Sequence, residues 1–448
     1  WQQFITLNWL ADPANPGEPD PNASPADFGA PTDSRPVVWE SFKEASEVFR
    51  PGAEPPTPWG SARTLPTAFL SLKGSHQLKA TSSLGIKGLF AASKFSGGPQ
   101  LDLSEYTEAF TNGAWLTAQP MMNNYMTLFE KRLNEDEFNY INDNQLYDAT
   151  IQNQFAVMPG INLPDGSQAF ASYGTVGAIE IKAGWIQLDD PTLWPQFKIS
   201  QAYVSYPTDG GAPTPPKLVT VGLVALHIIR KTPNAQQFAW STFEHVNNAP
   251  SVTDIQKQTL KAWYTYFDLN CDPSTSYYKC QQNKQPVPGT DPYNAPIQVV
   301  RTTPISTTST NNIALLNSNT WNTITAANPK SVFLNYQLVN VLWPNANTSI
   351  PAGATIPLTN GNAQPPEAQQ PVANSVLETY HQDINCLSCH TYAPVASATS
   401  AKRVLKIMRP GMAVKKVSAE AATLASDYSF LFSEAKTKTA AQKSPKQE

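Results

Sequence analysis

No run in this chain approaches the roughly 18 consecutive apolar residues that a membrane-spanning helix needs, so no span is expected. Charge is also sparse. Only 15% of residues are Asp, Glu, Lys or Arg and the formal net charge is −4, which leaves no polybasic footprint and makes nucleic acid an improbable partner. Among 448 residues there are 5 histidines, 4 cysteines and 6 methionines, so soft ligands are few. There is no H-E-x-x-H for a zinc protease, no Gly-rich phosphate loop and no G-x-S-x-G nucleophile turn. No internal repeat is visible. Trp1-Gln2-Gln3-Phe4 lacks the basic start and apolar stretch of a signal peptide, and the numbering is expected to begin on a processed chain.

Aromatics and proline are plentiful. With 11 Trp, 16 Tyr and 19 Phe the chain can fill a large core, and its length suggests two or three domains. Forty prolines against 22 glycines, with much Asn, Thr, Ser and Gln, indicate long, stiff connections of a kind common in exported proteins.

Near the C-terminus stands Cys386-Leu387-Ser388-Cys389-His390, or C-x-x-C-H, the pattern that attaches a haem covalently. Two thiols add across the porphyrin vinyl groups, and the next imidazole lies beneath the iron. The expectation is one haem c on Cys386 and Cys389 with His390 as proximal ligand. Two other chemistries use C-x-x-C. Zinc needs four ligands, yet the remaining cysteines, Cys271 and Cys280, lie over a hundred residues away. A thioredoxin-like site wants a strand before the motif, whereas here a helix-like Val372–Tyr380 precedes it. Cys271 and Cys280 bracket a polar, turn-rich stretch and are expected to form a local disulfide, worth about 2–3 kcal/mol; two free thiols are the alternative. Covalent haem attachment takes place on the outer side of an energy-transducing membrane. A periplasmic or extracellular location follows.

The sixth coordination position separates a carrier from a reactive centre. Met408 and Met412 flank the turn Arg409-Pro410-Gly411 and could present a thioether to the iron; both could equally be core filler. His381 is tethered too close to the motif to reach the far side. His227, in an apolar strand, reads more simply as a core histidine, while His245, beside Glu244 at a strand end, is more suggestive. His76 reads as solvated. Glu180 and Lys182 share one strand face; they form a solvated or cross-strand pair unless that face meets the haem, where they become candidates for proton handling.

The pattern along the chain predicts an α+β protein. Residues 1–165 form a Pro-rich region with helices, one over Arg35–Val48 and others within 103–150, and make one unit with a β-rich, sandwich-like core over 166–350. Strands are expected at 177–185, 197–204, 218–229, 238–243 and 297–300, with a helix over 311–324 and a strand-like 332–342. A linker (351–371) leads to a mainly helical haem segment (372–435) with a helix over 418–435, and a frayed tail (436–448) follows. The haem segment is too small to shield a porphyrin alone, so it is expected to pack on the large domain.

Several phrases also carry a resemblance: Phe4–Trp9, Arg35–Glu40, Glu180–Trp185, His227 with Lys231-Thr232-Pro233, Trp240–Val246, Leu377–Tyr380, the haem motif, and Asp427–Phe430. In these the chain resembles bacterial exported monohaem proteins of the "cytochrome c family" type, with a long N-terminal region and one late C-x-x-C-H. The resemblance implies an exported monohaem protein with Cys386, Cys389 and His390 carried over, and it brings no sixth ligand. The leading functional expectation is single-electron transfer to or from a partner protein or larger assembly. The alternatives are a haem enzyme of peroxidase or oxygenase type, with an open distal face and substrate held by the β-rich domain, and a structural subunit in which haem is an electron wire.

Overall fold

The computed structural model describes residues 1–61, 86–90, 114–209, 214–344, 349–358, 371–397 and 423–438. Met408, Met412, His76 and most of the expected linker and tail lie outside them. Eight described strands form one mixed, mostly antiparallel sheet: β1 (Lys43–Glu44), β2 (Ile86–Phe90), β3 (Leu128–Leu133), β4 (Ile179–Gln187), β5 (Ile199–Ser205), β6 (Lys217–Thr232), β7 (Ala235–His245) and β8 (Tyr336–Leu342). The α+β class therefore holds. The sandwich does not: every described strand belongs to this one sheet, and its faces are covered by helices and long loops.

The 16-residue β6 is the spine. Its Val, Leu and Ile residues suit a strand buried on both faces. Along one edge it pairs with β4; along the other it pairs with β5 through Lys217–Gly222 and with β7 through Ala225–Thr232, so the sheet forks. Side chains alternate between faces. On one face Ile181, Leu226, Ile228, Phe243 and Leu338 pack with Phe4, Val38 and Trp39 from the N-terminal stretch and with Ile313 and Ile324. On the other face Phe129, Ile229 and Trp240 belong to cores completed by Val376, Leu377, Leu387, Tyr428 and Phe432 from near the C-terminus.

The described α-helices are α1 (Gln2–Leu7), α2 (Ala45–Val48), α3 (Glu135–Asp143), α4 (Ala149–Val157), α5 (Val252–Lys257), α6 (Ile313–Ala327) and α7 (Cys386–His390). Caps fix where they begin: Asn134 Oδ1 accepts from the Glu137 amide, and Asn312 Oδ1 from the Leu315 amide. No described helix is long and apolar enough to cross a membrane.

Several expectations are corrected. The helix over Arg35–Val48 is instead a 3-10 turn (Val38–Ser41), the short β1 and the single turn α2. Within 103–150, Leu128–Leu133 is a strand, with buried Arg132 held by Glu44 and Glu130. Residues 297–300 contribute an isolated bridge at Gln298 rather than a strand. Val372–Tyr380 forms turns, because Asn374, Ser375 and Glu378 bond to groups far away in sequence. The described part of the helix expected over 418–435 is instead a bridged stretch at Leu424 and Ala425, a turn at Asp427 and Tyr428, and a 3-10 turn, Phe430–Glu434.

Candidate functional site

Asn385 starts α7, its side-chain oxygen accepting from the Ser388 amide at 3.1 Å. Helical spacing then puts Cys386, Cys389 and His390, at i, i+3 and i+4, on one face. All three line a cavity of about 300 Å³ whose opposite wall is the C-terminal-facing side of the sheet. Register explains that wall: Lys131 on β3 lies opposite Lys182 on β4, Lys182 opposite His227 on β6, and His227 opposite Thr242 on β7, so all face one way. Glu180, Ile229 and Trp240 continue it, and Glu378, Ile384 and Phe430 close the sides. A mostly apolar hollow with a few convergent polar groups is typical of a cofactor or ligand site.

His390 is firmly oriented. Its Nδ1 lies 2.7 Å from the carbonyl oxygen of Tyr428, an acceptor only, so Nδ1 donates and Nε2 keeps its lone pair. Trp240 and Phe430 pack on the ring, with centroids 4.4 and 5.0 Å away. Burial holds the imidazole neutral, lowering its pKa to about 4. Cys386 and Cys389 are unbonded thiols, and desolvation with Glu378 nearby drives both upward, Cys389 to about 12. A dithiol redox centre needs a depressed thiol, and this environment does the opposite.

His227, read from the sequence as core, is on the cavity wall, its Nε2 2.8 Å from Glu378 Oε1. Glu378 also accepts from the Asn374 amide at 2.8 Å, and Asn374 reaches Phe243 O, so one carboxylate ties the segment before the motif to the sheet. Desolvation pushes Glu378 upward, but His227 and its hydrogen bond outweigh that and hold it below the ordinary carboxylate range. Lys182 lies over the Phe129 ring, 5.6 Å from its centroid. Lys131 pairs with Glu434.

The other candidates are elsewhere. His245 is stacked on Phe197 and buried, with Nε2 donating to Gln196 O at 3.0 Å and Nδ1 accepting from the Asn247 amide at 3.2 Å. It is a satisfied core histidine. Glu244 pairs with Arg301 and accepts from the Ser375 hydroxyl, a buried anchor rather than a cavity group. His381 is not among the cavity-lining residues. Cys271 and Cys280 form the expected disulfide.

The donor set fits a porphyrin carried by C-x-x-C-H. Two thiols are shared with no other cysteine, and the imidazole has its Nδ1 hydrogen-bonded and its Nε2 lone pair unused, the second-shell pattern of a metal-ligating histidine. Among the described residues no group of three or more His, Cys, Asp or Glu side chains is placed to hold a bare metal ion. Sequence reading missed Glu378, Trp240 and Tyr428, although each falls in one of the aromatic or acidic phrases that carry the resemblance. The chain matches no known protein-family model, no curated protein and no solved structure.

Proposed function

We propose that the chain is an exported monohaem c-type cytochrome that passes single electrons to or from a partner protein. In this reading Cys386 and Cys389 hold haem c and His390 is the proximal ligand. One observation carries it: the three motif residues converge on a single cavity, with His390 oriented through Tyr428 O. The iron porphyrin, when bound, supplies one-electron redox chemistry. The protein's own contribution is burial and orientation. Trp240 and Phe430 fix the imidazole ring and Ile229 and Ile384 present apolar surface, while the Tyr428 carbonyl makes the imidazole a stronger donor. The resemblance to exported monohaem proteins supports the same reading and the periplasmic or extracellular location.

A second reading is a haem enzyme, and the polar sheet wall favours it. Lys182, Glu180 and the His227–Glu378 pair are acid–base groups that line the same cavity as His390. Optical spectra decide between the two. A low-spin protein that ignores carbon monoxide and cyanide supports electron transfer; a high-spin ferric form that binds them supports catalysis. Under the second outcome His227→Gln and Lys182→Met should each slow turnover of a peroxide substrate roughly 10²-fold or more.

A further inference from the structure

Behind the cavity lies a buried acidic pair that the electron-transfer reading leaves unused. Glu180 lines the cavity, and Glu137, in the first turn of α3, is fully buried beside it, because Leu133, the last residue of β3, pairs with Glu180. Both carboxyl oxygens of Glu137 and Oε1 of Glu180 lack a hydrogen-bond donor. Two carboxylates cannot stay ionised side by side in a dry interior, whereas a single shared proton supplies the missing hydrogen bond.

The neighbours do not remove the problem. From β6, Lys231 is committed to Asp427 at 2.5 Å, both fully buried, and Asp427 adds a further negative charge. From β3, Lys131 is paired with Glu434. Lys182 and His227 face the cavity beside Glu180, His227 being held by Glu378, and Ser429 hydrogen-bonds Glu180. Lys231, with Asp165 near it, thus bears on Glu137 and Lys131 bears on Glu180, and each is already paired with a carboxylate. Desolvation, opposed by Ser429, lifts Glu180 to about 7, and desolvation with the Glu180 charge lifts Glu137 well above the carboxylate range.

We infer that Glu137 and Glu180 form a one-proton site in the cavity wall, partly occupied near neutral pH, whose proton occupancy rises when an electron enters the cavity and falls when the electron leaves. The coupling rests on the cytochrome reading. The electron comes from a one-electron donor and goes to the iron. The proton comes from solvent and forms an O–H bond on the pair, and no other bond is made or broken. An added negative charge in a low-dielectric cavity raises the affinity of adjacent carboxylates for protons.

Three readouts test this on the full chain. The midpoint potential of the haem-loaded protein should fall as pH rises across neutrality, and that slope should vanish in both Glu137→Gln and Glu180→Gln while persisting in Glu54→Gln, an exposed control paired with Arg50. Infrared spectra should show a protonated-carboxyl band at neutral pH in the wild type that each Gln variant lacks. Independently of haem, the unfolding constant of the wild type should rise relative to Glu180→Gln by up to tenfold per pH unit between about 4.5 and about 7, because only the native state holds that proton there. A pH-dependent potential that survives in both variants overturns the coupling. Loss of the band and of the stability slope only in the Gln variants supports the shared proton, and their absence from the wild type overturns it. A chain that takes up no haem overturns the cytochrome reading and the coupling together, while the infrared and stability results still decide the proton site.

Discussion

Lys231 and Asp427 form an ion pair at 2.5 Å in which both side chains are wholly buried. The pair sits at the base of an unusual turn: Asp427 and Tyr428 both adopt left-handed backbone angles, φ 55° and 65°. Such angles are costly for non-glycine residues and persist when surrounding contacts hold them. Here they aim the Tyr428 carbonyl at His390, and Asp427 also accepts from the Leu163 amide. The chain that orients the motif histidine thus runs from β6 through an ion pair and a strained turn.

Lys231→Met tests that chain. It leaves Asp427 buried without its cation, and removing one partner of a buried pair costs about 3–5 kcal/mol. Chemical denaturation should show a loss of that order. A loss below about 1 kcal/mol would mean that the turn holds itself.

Acid should destabilise the protein through His245. Burial lowers its pKa from 6.5 to about 3, so below about 6.5 the unfolded chain binds a proton that the native state refuses. Its contribution to stability is complete above about 6.5 and falls by about 1.4 kcal/mol per pH unit as the pH drops toward 3. His245→Gln should flatten this limb in pH-dependent denaturation. An unchanged limb would show that the histidine titrates freely in the fold. The Glu137–Glu180 pair works in the opposite direction over part of the same range, so each slope is read as wild type minus variant.

Deleting residues 371–448 should uncover the sheet face that Val376, Leu377, Tyr428 and Phe432 bury. These side chains complete cores shared with β3, β4, β6 and β7. Each buried large apolar side chain is worth about 1.5–3 kcal/mol, so the truncated chain should melt far lower or aggregate. Unchanged melting behaviour would make the C-terminal segment an independent, tethered module.

Much of the sheet is legible in the letters. Alternation and β-branched content mark β4, β5, β6 and β7 to within a few residues, because each strand states its own two-residue period. β3 is not legible in this way. Tyr125, Leu128, Phe129 and Leu133 fit helical spacing, and what makes the segment a strand is distant: Arg132 needs Glu44, and Lys131 needs Glu434. The same contrast divides the site. Cys386, Cys389 and His390 are read from a local spacing, whereas the opposite wall is assembled by strand register from residues some 150 to 260 positions away. His227 and His245 exchange roles for that reason: they lie on neighbouring strands with similar apolar surroundings, and register alone turns one to the cavity and the other into the core.

The central claim is a covalent haem on the motif, and intact-mass spectrometry with peptide mapping tests it most directly. The chain should be produced in cells that carry out covalent haem attachment. The expected mass is that of the chain plus one haem, located on the peptide holding Cys386 and Cys389 and lost when both are changed to alanine. An unmodified peptide, with both thiols open to alkylation after unfolding, would contradict it.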